Sequence, residues 1–201
     1  MKTTILAASA AVALAACATY MPPSEKETMA VIKTSFRDHG QAKVDRLTQS
    51  QMQAICTETH NDPPKNQRER IEKEALATVK YPSDGKWLGN FKDGEKIAQT
   101  GRGLQWSDSA GAEAGGNCYA CHQLSKAEIS YGNIGPSLNN YGKLRGYTEE
   151  VKKYTWGKIW NTHAYNACSS MPRFGDAGIL TEAQIKDVMA LLLDPASPVN
   201  K

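Results

Sequence analysis

Residues 115–125 read "GGNCYACHQLS", which places two cysteines three apart with a histidine directly behind the second. Cys-x-x-Cys alone serves a redox disulfide or half of a zinc site, whereas Cys-x-x-Cys-His is the pattern for covalent attachment of haem c. Thiols at Cys118 and Cys121, on the first turn of a helix, can add to both vinyl groups of one haem. His122 then lies beneath the iron as proximal ligand. A zinc site would need two further ligands, for which Cys168 and His163 are the candidates. The cofactor this motif calls for is a single covalent haem c.

A proximal imidazole leaves iron one more axial position. Met171, 49 residues beyond His122, sits in "SSMPRFG", where Pro172 stiffens a loop suited to crossing the far haem face. Thioether sulfur opposite imidazole raises the reduction potential and suits one-electron transfer. The plain alternative is a core methionine, and His163 is the second candidate for the sixth position. His39 and His60 are expected at the surface, or at an interface, of the N-terminal part. In "IGPSL", residues 134–138, the Pro136 carbonyl is placed to accept the Nδ1–H of His122, which would fix the ring and raise its basicity. Otherwise the stretch is simply a Gly-Pro turn.

Helices must position these groups. "FKDGEKIAQTGRGLQW" (91–106) is a helix candidate ahead of the motif, and "TEEVKKYTWGKIWNTH" (148–163) is a second, with Val151, Tyr154, Thr155 and Ile159 spaced for one buried side. "TEAQIKDVMALLLD" opens with a capping box, Thr181 with Gln184, and carries Ile185, Val188, Leu191 and Leu192 on one stripe. Upstream, "DRLTQSQMQAICTE" and "PPKNQRERIEKEALATVK" also repeat apolar residues at helical spacing. No stretch alternates like a strand, so the chain reads as all-α. "YPSDGKWLGN" marks a boundary near residues 81–86. The expected division is a leader over 1–18, a helical N-terminal extension over 19–86, and the haem domain over 87–201.

With 24 Lys+Arg against 21 Asp+Glu, and no basic block interleaved with aromatics, nothing points to a nucleic-acid partner. Met1-Lys2 followed by the apolar run Ile5–Leu14 is a secretory leader, too short to span a bilayer. "LAAC" ending at Cys17 fits a lipoprotein box that would leave a lipid anchor on that cysteine; small residues equally allow ordinary cleavage near residues 16–18. Export to the periplasm suits haem c and allows disulfides. Of five cysteines, Cys56 and Cys168 remain once the leader and the haem motif have taken theirs. An even pair in an oxidising compartment favours a disulfide over two isolated thiols.

Residues 87–194 resemble a class I cytochrome c: a helix, "CYACH", "IGPSL", a "MP" loop and a closing amphipathic helix. "NCYACHQL", "YGNIGPSLNNYGKLRG", "NACSSMPRFG" and "GILTEAQIKDVMALLLDPASPV" together resemble SoxX, the monohaem subunit of the SoxAX cytochromes of sulfur-oxidising bacteria. "QAKVDRLTQSQMQAIC" is similar to the extension of the longer members, so the likeness covers nearly the whole mature chain. It implies a class I cytochrome c fold with a helical extension. Cys118 and Cys121 take the thioether role, His122 and Met171 the axial roles, and Pro136 the carbonyl behind the histidine.

The resemblance further implies a heterodimer with a SoxA-like monohaem or dihaem cytochrome. That complex, an L-cysteine S-thiosulfotransferase, oxidatively couples thiosulfate to a cysteine of the SoxYZ carrier. The reacting site lies on the SoxA partner, and this chain would relay electrons to a soluble cytochrome, with no catalytic residue of its own. On the same resemblance Cys168 pairs with Cys56 and pins the extension over the distal haem side; the competing role is a reactive thiol in a second sulfur-transfer site. Readings from other classes are a free-standing electron carrier and a gas-binding haem sensor.

Overall fold

The computed structural model describes residues 23–201, so the leader and Cys17 lie outside the described residues. Seven α-helices are present among those residues: α1 (Glu25–Ser35), α2 (Gln51–Glu58), α3 (Lys65–Ala77), α4 (Phe91–Gln99), α5 (Tyr141–Arg145), α6 (Glu149–Trp160) and α7 (Glu182–Leu193). The described residues hold no strand, only one isolated bridge between His39 and Ala42. The all-α expectation is met.

The described part of the first unit, which ends at Arg37, holds α1, capped by Ser24 and Glu27 bonding to each other's backbone N–H. No residue of α1 is buried. The second unit runs from Asp38 to Lys201. Residues 81–86 do form a turn-rich connection, but the chain on either side of them belongs to this one unit. The bonds responsible come from side chains of the haem region: the Trp156 indole donates to the Lys80 carbonyl, and the Asn161 amide to Thr78 Oγ1.

The core is the crossing of α4 and α7 with α6 laid against α7. Helix α7 buries Ile185, Val188, Met189, Ala190, Leu191, Leu192 and Leu193, a wider face than the expected stripe. Its start is fixed by the Thr181–Gln184 capping box. Helix α4 approaches so closely that a Cβ on Gly94 would lie 2.1 Å from the Asp187 carbonyl oxygen. It also ends at Gln99 rather than near Trp106. Thr100 is extended and Gly103 has φ +102°, a backbone turn that only glycine adopts without strain. Helix α6 buries Trp156 where the spacing suggested Tyr154. The indole fills the core and has its own acceptor, while Tyr154 is 37% exposed and packs edge-on to Tyr165.

The N-terminal pieces do more than precede the haem region. "DRLTQSQMQAICTE" breaks into a 3₁₀ turn, Val44–Leu47, and α2, because Ser50 caps a new helix with Gln53. Helix α3 buries Ile71 and Ala75 completely and packs on the 3₁₀ turn Thr162–Ala164, which follows α6. This contact sets the start of the loop that carries Met171.

Candidate haem site

Asn117, in the left-handed region at φ +47°, turns the chain into an isolated 3₁₀ turn over Cys118–Ala120, where the first turn of a longer helix was expected. The N–H groups of Cys121 and His122 both donate to the Cys118 carbonyl, at 3.1 and 2.9 Å, so the two thiols and the imidazole leave one tight turn. Buried Tyr119 anchors that turn to α4 by donating its hydroxyl to Glu95 at 2.9 Å. Burial, and then this bond to Glu95, raise the Tyr119 phenol above its ordinary pKa, so it stays a donor.

Behind His122 the chain doubles back. Gly132 N–H donates to the Tyr119 carbonyl and Gly135 N–H to the Cys121 carbonyl, each at 2.8 Å. These bonds bring the Pro136 carbonyl 2.7 Å from His122 Nδ1. A carbonyl only accepts, so Nδ1 carries the proton and Nε2 the lone pair. The second glycine is a cradle: a Cβ on Gly135 would lie 2.1 Å from the Cε1 of His122. Only a residue without a side chain lets the backbone lie against the ring.

Met171 follows the 3₁₀ turn Thr162–Ala164. Its N–H donates to Ser169 Oγ at 3.2 Å, and that hydroxyl is also bonded by Thr162 at 3.0 Å. Beyond it, Phe174 N–H donates to the Ile159 carbonyl, and Gly175 and Asp176 N–H groups donate to the Trp160 carbonyl. Cys168 is joined to Cys56 of α2 in a disulfide with Cα atoms 5.5 Å apart, within the usual range for such bonds. The extension is therefore tied covalently to the chain three residues before Met171. Those cysteines are thereby unavailable to a zinc ion or as reactive thiols, and no cluster of three or more His, Cys, Asp or Glu suited to a metal ion occurs among the described residues.

The residues present fit a haem. Cys118 and Cys121 are the free cysteines among the described residues, both half-buried. Burial pushes the Cys118 thiol up to about 12, the reverse of the depressed pKa that a redox dithiol needs. Cys118, Leu138, Trp160, Met171 and Ile179 pack against the core yet remain only partly buried. The Trp160 indole N–H is buried without an acceptor among the described residues. Next to the Gly135 cradle, Ile134 is 79% exposed, apolar surface of the kind a porphyrin covers.

His163, the other candidate for the sixth position, is buried beside this loop; its Nε2 lies 3.3 Å from the Ser169 carbonyl. Burial, then the Arg173 charge, hold its pKa below the ordinary value. It lines a cavity of about 380 Å³ together with Met171, Ser169, the Cys56–Cys168 pair and, from the extension, Gln49 and Gln53. His39 and His60 are exposed, the former stacked on Trp106 at 4.2 Å. Ser169 and Trp160 go unnoticed in the sequence, and Gly135 reads there only as part of a Gly-Pro turn. Only Gly135 carried a signal there, as the glycine inside "IGPSL".

A helical core closed by α4 and α7, with a Cys-x-x-Cys-His turn between them, defines the class I cytochrome c fold. The cytochrome c family model matches residues 91–194, over half of the chain, and the chain belongs to that family, whose cofactor is covalent haem c. It is also similar to an uncharacterized lipoprotein of Aquifex aeolicus (strain VF5), 42% identical over 132 residues that make up 64% of this chain and 61% of the relative. The chain thus spans about three fifths of that relative's length.

Proposed function

We propose that this chain is an exported electron carrier whose single haem c is held by thioethers at Cys118 and Cys121, with His122 and Met171 as axial ligands. The observation that carries the reading is the His122 ring, fixed through Nδ1 on the Pro136 carbonyl with its other nitrogen free, on the same turn as two free thiols. When bound, the haem supplies one-electron exchange between ferric and ferrous iron, at a potential raised by a thioether ligand. The chain's own part is positional. Pro136 orients the imidazole and keeps it basic, and Ser169 and the disulfide hold the Met171 loop. A leader ending in "LAAC", and a relative described as a lipoprotein, support a periplasmic location with a lipid anchor on Cys17.

The particular role proposed is that of the SoxX subunit in a SoxAX-type complex, supported by the whole-chain resemblance. Coupling thiosulfate to a carrier cysteine forms one sulfur–sulfur bond and releases two electrons. A one-electron carrier must therefore turn over twice per bond. In an anaerobic mixture of this holoprotein with a SoxA-like cytochrome, a SoxYZ carrier and thiosulfate, its haem is expected to become reduced only when all are present. Reduction independent of the SoxA-like subunit, with no complex on gel filtration, would make it a free-standing carrier instead.

A further inference from the structure

Gly175 closes the stretch "MPRFG" that Met171 opens, with three residues between them. Several glycines among the described residues hold a positive φ, and Gly175 is not one of them. Backbone conformation therefore does not call for glycine here; a neighbour does. A Cβ at this position would lie 2.5 Å from Cε3 and 2.9 Å from Cε2 of the Trp160 indole, and closer still to Cδ2. Cδ2 and Cε2 are the two ring-fusion atoms, which nothing in the ring plane can approach together. The main chain at Gly175 thus lies on the face of the indole. The Trp160 carbonyl meets the same segment, accepting from the N–H groups of Gly175 and Asp176 at 3.1 and 3.0 Å.

The ring is itself held from behind. It stacks on Trp156, with centroids 6.2 Å apart and planes 19° from parallel. Trp156 is fully buried, gives its indole N–H to the Lys80 carbonyl at 2.8 Å, and has Trp87 edge-on at 5.9 Å. Trp160 has no acceptor for its own N–H among the described residues, so packing rather than a hydrogen bond fixes its plane. The Met171 loop is therefore pinned before the methionine by Ser169 and the disulfide, and after it by a flat ring. Between the pins, Pro172 has its φ locked. Met171 and Trp160 both pack, partly buried, against the same core.

We infer that Trp160 is a positioning residue for the axial ligand: its ring sets where the Met171 loop comes to rest, and so how near the thioether can stand to the iron. The inference rests on the reading of Met171 as that ligand. A ligand works only within about 0.5 Å of its productive geometry, held there by what packs behind it. Gly175 is the matching half of the device, since only a residue without a side chain lets the loop settle on the ring.

The test compares holoproteins by the far-red sulfur-to-iron band, carbon monoxide binding after reduction and potentiometry, with circular dichroism to verify folding. Trp160→Leu should weaken or lose the band, admit carbon monoxide and lower the potential. Trp160→Phe keeps a flat ring and should restore the band and the refusal of carbon monoxide. Gly175→Ala, which removes nothing from the core, should reproduce the Trp160→Leu losses, and it decides the matter if the Trp160 variants do not fold. In Gly175→Ala/Trp160→Leu the methyl group has room, so the double variant should be no worse than Trp160→Leu alone. A wild-type band with no carbon monoxide adduct in folded Trp160→Leu or in Gly175→Ala would overturn the inference. So would equal losses in Trp160→Phe and Trp160→Leu, or simple addition of losses in the double variant. A far-red band that persists in Met171→Ala would overturn the Met171 assignment, and the inference with it.

Discussion

At the scale of single residues, the site depends as much on what is missing as on what is present. His122 needs a backbone pressed against its ring so that Pro136 can reach Nδ1, and only Gly135 permits it. Gly135→Ala would put a methyl carbon 2.1 Å from Cε1, inside any tolerable contact, with the imidazole and its own backbone as the parts that must move. The expected outcome is a falling fraction of haem-loaded protein, by pyridine haemochrome assay, and a changed potential in what does load. Wild-type loading and potential would show that the ring orientation does not matter. The motif, the proposed axial pair and the carbonyl were all legible as residue types. The cradle and the Trp160 N–H were not, because each is defined by atoms brought together from distant positions.

Among elements, the informative pair is α2 and the Met171 loop, tied by Cys56–Cys168 over a separation of 112 residues. Cross-linking so long a loop restricts the unfolded chain, an effect of about 2–4 kcal/mol. Cys56→Ser/Cys168→Ser is expected to lower stability by that amount in denaturant titration. The far-red band should then vanish at lower denaturant than helical circular dichroism, since the ligand loop is released first. Coincident loss of both signals would make the disulfide a purely global staple. Helix starts were readable wherever a cap announced them, as at Thr181. Helix ends and buried faces were less so. Helix α4 stops early because Thr100 is extended and the chain turns at Gly103, and α6 turns Trp156 inward because an acceptor waits at Lys80, far away in sequence.

For the whole molecule, the fold class followed from periodicity and the absence of alternating runs, whereas the unity of residues 38–201 did not. Pro and Gly punctuation near 81–86 looks like a linker, but long-range bonds to Lys80 and Thr78 override it. The extension is thus part of what holds the loop of Met171, the proposed sixth ligand, which suits a carrier proposed to keep its iron six-coordinate through each electron it passes. That claim is tested most directly by the absorption spectrum of the oxidised holoprotein, followed by carbon monoxide added after reduction. His122–Met171 ligation requires a low-spin spectrum with the far-red sulfur-to-iron band, abolished in Met171→Ala, and no carbon monoxide adduct. A high-spin spectrum without that band, and ready carbon monoxide binding, would contradict it and make the protein a binder of gases.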